Sequence, residues 1–217
     1  MTPQPNLPPV LQASALEGRA PDGRRLFALS TLALQPGLTL VLGDEGAGKT
    51  TLLRMLAGDM PHWVGHAVLC GHDQHTAADA YHSEVAWLDP ASQSWEQVVV
   101  DELWAQQARH FARWSPDTLE DLVEALDLQA HRHKPLYMLS TGSRRKALMA
   151  AALASGAALT LLDMPFAALD GATSRTLRDI LADCADHPQR AFVIADYSAP
   201  AGVAAQQVLN LDELGTK

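Results

Sequence analysis

The chain has 217 residues, 47% hydrophobic and 19% charged, which suits an ordinary globular protein with one sizeable core. Its formal net charge of −9 argues against broad nucleic-acid binding, which needs a basic face. Two cysteines, Cys70 and Cys184, are too few for a disulfide framework and read as free thiols of a reducing compartment.

Residues 1–10, "MTPQPNLPPV", lack the charged start and apolar stretch of an export signal. They are expected to form a flexible Pro-rich tail, with residues 11–217 as one domain. "LFALSTLALQPGLTLVLG" predicts two strands around a Pro36–Gly37 turn. The second, Leu38 to Leu42, is apolar throughout and so is expected to be central. "DEGAGKTTLLRMLAG" follows, with Leu52, Leu53, Leu56 and Ala57 at helical spacing and Gly58 as the stop. "HAVLCG" at 66–71 and "EVAWLD" at 84–89 predict short strands.

From Ser92 to about Lys134 the pattern turns helical. In "SPDTLEDLVEALDL", Ser115 can cap and Pro116 suits the first turn. Leu119, Leu122, Val123 and Leu126 share an apolar face. The run "ALMAAALASGAALTLL", 147–162, is too short to span a membrane and is split by Ser155–Gly156. It predicts a helix, a turn and a buried strand ending at Asp163. Any membrane role therefore needs a separate membrane-embedded partner. "AFVIAD" predicts another buried strand, and "VLNLDELG" a last strand and turn. The sum is an α/β fold with a mixed β-sheet core and an α-helical subdomain inserted at about 92–142. No internal repeat is visible.

"GDEGAGKT", Gly43 to Thr50, fits the P-loop pattern and lies between a predicted strand and a predicted helix. Its glycines let several backbone N–H groups face one anion, and the helix N-terminus adds partial positive charge. The expected nucleotide-binding residues are Gly43, Asp44, Glu45, Gly46, Ala47, Gly48, Lys49, Thr50 and Thr51. Lys49 can reach the β- and γ-phosphates. Thr50, with Asp163 from the later strand, can orient Mg²⁺.

"LSTGSRRKALMAAAL", 139–153, resembles the ATP-binding cassette signature, usually written LSGGQ, and "FAALD", 166–170, resembles that family's D-loop. With the phosphate loop these stretches stand in the family's order from about Leu26 to Leu211. The chain thus resembles an ATP-binding cassette (ABC) transporter ATPase of compact single-cassette type, such as the haem-exporter type. The resemblance implies MgATP as ligand, a second cassette (the same chain or another) and a membrane-spanning transporter subunit as partners. It also implies a peripheral place on the cytoplasmic face of the membrane. Ser140, Thr141 and Gly142 are then expected to touch the partner's nucleotide, and Asp170 to lie near the dimer seam.

Five positions depart from the family pattern. Met164 stands where the family has a catalytic glutamate, and a thioether cannot polarise water. Tyr197 stands at the usual histidine position, neutral at pH 7. The Q-loop glutamine has no residue in register, with Gln93 as the candidate a few residues on. The adenine-stacking aromatic falls near Gly18–Arg19, where only the Arg19 guanidinium could stack. Ser143, in place of the final glutamine of LSGGQ, is a milder change. The expected function is a transporter ATPase with hydrolysis weakened by Met164. The alternative is a non-hydrolysing nucleotide-binding module that regulates a complex or completes a heterodimer. A carboxylate such as Asp196 could also substitute for the missing glutamate.

The remaining features are bland. His62 with His66, and Cys70 with His72 and His75, lack zinc spacing. "HRHK" at 131–134 reads as a solvated loop end, and "SRRK" at 143–146 as the basic start of the signature helix. Trp95 and Trp104 are expected to pack in the core, although related transporters use this helical region to contact membrane subunits.

Overall fold

A computed structural model describes residues 8–60 and 64–214. The chain runs through β1 (Leu11–Arg19), β2 (Arg25–Leu34), β3 (Gly37–Leu42), α1 (Lys49–Ala57), β4 (Val64–Leu69) and β5 (His72–Asp73). Next come α2 (Ala78–His82), β6 (Val85–Trp87), α3 (Val100–His110), α4 (Pro116–Ala125) and α5 (Thr141–Ala154). β7 (Leu159–Asp163), α6 (Gly171–Ala185), β8 (Ala191–Asp196), β9 (Gln207–Asn210) and α7 (Leu211–Leu214) complete it. No helix among the described residues is long and apolar enough to cross a membrane.

The β core resolves into two sheets. One is antiparallel, in the order β2-β1-β4-β5; the other is parallel, in the order β6-β7-β8-β3-β9. The Pro36–Gly37 turn is where the chain leaves the first sheet for the second. β3 is indeed central, with β8 on one side and β9 on the other. Side-chain alternation in the parallel strands splits the apolar residues between two cores. Val41, Leu159, Leu161, Val193 and Ala195 face α1 and the antiparallel sheet. Leu38, Leu40, Leu162, Phe192 and Ile194 face the helical layer of α3 to α6. Each fully buried side chain of this size contributes about 1.5–3 kcal/mol. The parallel sheet is therefore held rigidly from both faces, and the strand ends that carry the site are fixed.

The boundaries differ from the sequence expectation in four places. β1 was not foreseen: a bulge at Ala15 (φ 53) moves its buried positions from Leu11 and Ala13 to Leu16 and Gly18, so no single alternation runs through it. Val10, assigned to the tail, is buried. Its N–H donates to the Leu34 carbonyl at 2.8 Å and its carbonyl accepts from Cys70 N–H at 3.0 Å. Residues 1–7 of that tail, and His62, lie outside the described residues. Cys70 and Gly71, expected within a strand, form the turn into β5. The stretch after β9 is the short helix α7, because Asn210 Oδ1 accepts the Asp212 N–H at 3.1 Å and starts a helical turn. The cap expected at Ser115 is present, accepting from Thr118 N–H at 3.2 Å.

Candidate functional site

The glycine-rich loop leaves the carboxyl end of the central strand β3 and enters α1, the usual ligand position in a parallel sheet. Gly48 sits at φ 100, and a Cβ there would lie 2.9 Å from the Phe27 ring; only glycine fits. The next residue, Lys49, is 7% exposed. Its ammonium donates to the Gly43 carbonyl at 2.6 Å and the Asp44 carbonyl at 2.9 Å. The Tyr197 ring lies 4.3 Å from the same Nζ, a cation–π contact. Full positive charge is thus held inside the loop, where phosphate oxygens bind in such cradles.

Asp163 ends β7 and accepts the Thr50 hydroxyl on Oδ2 at 2.6 Å. Its other oxygen, Oδ1, is buried and has no hydrogen-bond partner among the described residues. A buried, unsatisfied carboxylate oxygen beside a hydroxyl is a donor set that fits a hard divalent cation. Thr50 and Asp163 would hold Mg²⁺ there, and the ion would neutralise phosphate charge.

Burial pushes the Asp163 carboxyl above its ordinary 3.8, and Asp89 adds to this; the Thr50 hydroxyl, Arg145 and Lys49 pull it down. A folded-state pKa above the unfolded value means that the ionised group costs folding free energy at neutral pH, and that this cost fades as pH falls from the raised folded-state value to the unfolded one. In thermal melts without nucleotide, Asp163→Asn should therefore melt higher than the native chain at pH 7, by about 2–4 °C. The gain should vanish as the pH is lowered below about 4. An equal or lower melting temperature at pH 7 would contradict the burial cost.

Met164, next along, has φ 49, an uncommon conformation for a residue with a side chain. Its N–H donates to the Ala195 carbonyl at 2.8 Å, the bond that closes the last β7–β8 pair, Asp163 with Ala195. Its side chain helps line a cleft of about 350 Å³ shared with Glu45, Gly46, Lys49, Thr50, Asp163 and Tyr197. Arg145, from the first turns of α5, donates through one guanidinium nitrogen to the Asp163 and Met164 carbonyls, both at 2.7 Å. Burial lowers the Arg145 pKa while Asp163 and Asp196 raise it. Asp196, at the end of β8, accepts the Tyr197 N–H on Oδ1 at 2.7 Å. Burial raises its pKa, opposed by that amide, Lys49 and Arg145.

The signature residues are built differently. Ser140 caps α5, accepting Ser143 N–H at 3.1 Å. A Cβ on Gly142 would collide with the Ala168 carbonyl, so glycine lets the 164–169 segment pack against the start of α5. Asp170 caps α6, accepting Thr173 N–H at 2.8 Å, and that amide holds its carboxyl below the usual range. Neither Ser140, Thr141 and Gly142 nor Asp170 lines the cleft of the chain's own phosphate loop.

Two expected residues lie elsewhere. Gln93 is exposed and does not line the cleft; from that loop it is Asp89 whose charge reaches Asp163. Arg19 is tied to the Gly23 carbonyl and to Glu17, and the arginine lining the cleft is Arg24. Three contributors carried no signal in the sequence: Arg24, Arg145 as a clamp, and Asp212. The Asp212 carboxylate accepts the phosphate-loop N–H of Asp44 at 3.0 and 3.2 Å. Among the histidines, His66 faces Asp73 at 3.1 Å. Trp104 is buried with its N–H on the Ala147 carbonyl at 3.0 Å, whereas Trp95 lines a groove with Arg54, Trp87, Ser92 and His110.

A phosphate loop on a central parallel strand, with an aspartate at the end of a nearby strand, defines a P-loop nucleoside triphosphatase. The ABC transporter family model matches residues 30–167, and the chain belongs to that family; it is an ABC-type ATPase. A cytochrome c biogenesis ATP-binding export protein CcmA of Albidiferax ferrireducens is 32% identical over 94% of this chain and 97% of its own length. The protein of the same name from Pseudomonas savastanoi is 35% identical over 75% of this chain and 76% of its own. Among solved structures, a putative ABC transporter ATP-binding protein from Pyrococcus furiosus covers 95% of this chain at a TM-score of 0.73 and 18% identity. The structure of an ATP-binding subunit of an ABC transporter covers 87% at a TM-score of 0.74, also at 18% identity. These two likenesses speak for the fold.

Proposed function

We propose that this chain binds MgATP through Gly43–Thr51 and Asp163 and works as one of two cassettes driving a membrane-spanning subunit, with slow hydrolysis at its own phosphate loop. The observation that carries the reading is the 2.6 Å Thr50–Asp163 bond with Asp163 Oδ1 buried and unpartnered, beside an ammonium held in the loop. Those groups bind and orient a triphosphate; Met164, on the same cleft wall, has no lone pair basic enough to polarise water. The exposed start of α5, away from the chain's own cleft, supports a head-to-tail pair in which Ser140, Thr141 and Gly142 contact nucleotide held by the other cassette. That other cassette is a second copy or a different chain. The groove beside Trp95 supports docking of the membrane-spanning subunit, and so a peripheral position on the cytoplasmic face. Similarity to cytochrome c biogenesis ATP-binding export proteins, matched over most of their length, supports an export task in cytochrome c biogenesis.

A second reading is favoured by Met164 and Tyr197 together: a nucleotide-binding module that does not hydrolyse and instead completes or regulates a complex. Steady-state ATPase activity of the purified chain with Mg²⁺ separates the two, with Lys49→Ala as the blank and nucleotide binding measured alongside. The transporter-ATPase reading expects slow turnover that Lys49→Ala abolishes. Binding with turnover no faster than Lys49→Ala selects the second reading.

A further inference from the structure

Tyr197 owes its place to strand register. β3 and β8 run parallel, and their last pair is Leu42 with Asp196. Gly43, which opens the phosphate loop, and Tyr197 are therefore the first residues beyond two adjacent strand ends, in strands about 4.8 Å apart. The Tyr197 N–H is engaged locally, by Asp196 Oδ1 at 2.7 Å. Among the described residues its hydroxyl makes no hydrogen bond. What the side chain touches is Lys49, whose Nζ lies 4.3 Å from the ring centre.

An ammonium has three N–H donors and no acceptor. On Lys49 two of them are used inside the loop, by the Gly43 and Asp44 carbonyls. Among the described residues no third oxygen accepts from it, and the Tyr197 ring covers a further side. Both side chains line the nucleotide cleft, yet Lys49 is 7% exposed and Tyr197 53%. The ring is thus the outer layer over a buried cation. A phosphate oxygen binds an ammonium at about 2.8 Å. Placed on the line from Nζ to the ring, it would stand roughly 1.5 Å from the ring centre, well inside contact distance. Ring and phosphate cannot share that side of Lys49.

We infer that the Tyr197 ring is a plug on Lys49: it occupies the free side of the ammonium in the empty site, and an incoming phosphate must displace it. This rests on the MgATP-binding reading above and deepens it, because it makes Tyr197 a residue that sets nucleotide affinity by competing with the ligand. The ring acts through its π face, which attracts a cation, and the hydroxyl takes no part. An anionic phosphate oxygen attracts the same cation more strongly than a neutral ring does, so nucleotide wins, and the cation–π contact is what it forfeits. The half-exposed ring has room to swing outward, since little protein lies over it. Lys49 serves the β- as well as the γ-phosphate, so the plug opposes di- and triphosphate alike.

The test is titration calorimetry of the full chain with MgATP and with MgADP, on the native protein and on Tyr197→Phe, Tyr197→Leu and Tyr197→Ala. Thermal melts of each confirm that it is folded. Leu keeps bulk without a π face, Ala removes both, and Phe removes only the hydroxyl. Tyr197→Leu and Tyr197→Ala are expected to bind both nucleotides about 3- to 10-fold tighter than the native chain, the worth of a partly desolvated cation–π contact. Tyr197→Phe is expected to show no such gain. Folded Leu and Ala variants that bind no tighter than the native chain overturn the inference. A gain in Ala without one in Leu also overturns it, since bulk and not the π face would then be the obstacle. A Phe variant that weakens MgATP but not MgADP overturns it too, by making the hydroxyl a γ-phosphate ligand. If the native chain and every variant bind neither nucleotide, the MgATP reading itself falls.

Discussion

Met164→Glu should raise the steady-state ATPase rate of the chain by about 10²-fold or more, the span a positioned general base contributes. Methionine already occupies the left-handed conformation at φ 49, and glutamate, also unbranched at Cβ, adopts it at a similar cost. Side-chain volume is nearly conserved, so the cleft shared with Thr50 and Tyr197 keeps its shape. The new carboxylate would sit beside an unpartnered oxygen of Asp163, so the gain should be largest at saturating Mg²⁺, where that negative charge is neutralised. The check is kcat with and without Lys49→Ala in the same background. The double variant should fall to the blank, which ties the gain to this phosphate loop. A rate within twofold of the native chain would show that a missing base is not what limits turnover.

Arg145→Ala should destabilise the chain by about 3 kcal/mol, two charged hydrogen bonds being lost at roughly 1.5 kcal/mol or more each. Arg145 bonds both the Asp163 and the Met164 carbonyls, so its loss leaves two carbonyls at the end of β7 without their donor. The midpoint of urea unfolding should fall at an unchanged m-value. Arg145→Lys should recover only part of the loss, since a flexible ammonium replaces a rigid planar fork. Nucleotide affinity should weaken in both variants, because the strand end carrying Asp163 is no longer tied to α5. An Arg145→Ala chain as stable as the native one would mean that solvent satisfies those carbonyls without cost.

The binding half of the site was legible because its chemistry is local. Eight consecutive residues build the loop from Gly43 to Thr50, and the run ending at Asp163 advertised a buried strand with a polar tip. The same holds for the cap at Ser115, set by a side chain and an amide three residues on. What escaped depends on partners far apart in the chain. Arg145 looked like one of several basic residues, and only the packing of α5 against β7 turns it into a clamp. Arg24 and Arg19 are nearly equivalent in sequence, yet the turn between β1 and β2 ties one to Glu17 and Gly23 and leaves the other in the cleft. β1 itself was hidden by its bulge, which breaks the two-residue period on which strand recognition rests. Gln93 illustrates a further limit: the loop after β6 has no periodicity, so register from the strand could not say which of its polar residues turns inward.

The strand that bears the phosphate loop has a late-arriving set of neighbours. β3 pairs only with β8 and β9, and its loop is grasped by Asp212, 168 residues downstream of Asp44. On a ribosome, β3 emerges with both edges bare. At about 5–20 residues per second, roughly 10–30 s pass before β8 is available to cover one of them. Pairing over such separations is slow and leaves apolar edges open to other chains. The nucleotide site is thus completed only once β8 and Asp212 have been made, and a nascent chain halted before β8 should be insoluble unless a chaperone shields Leu38 to Leu42.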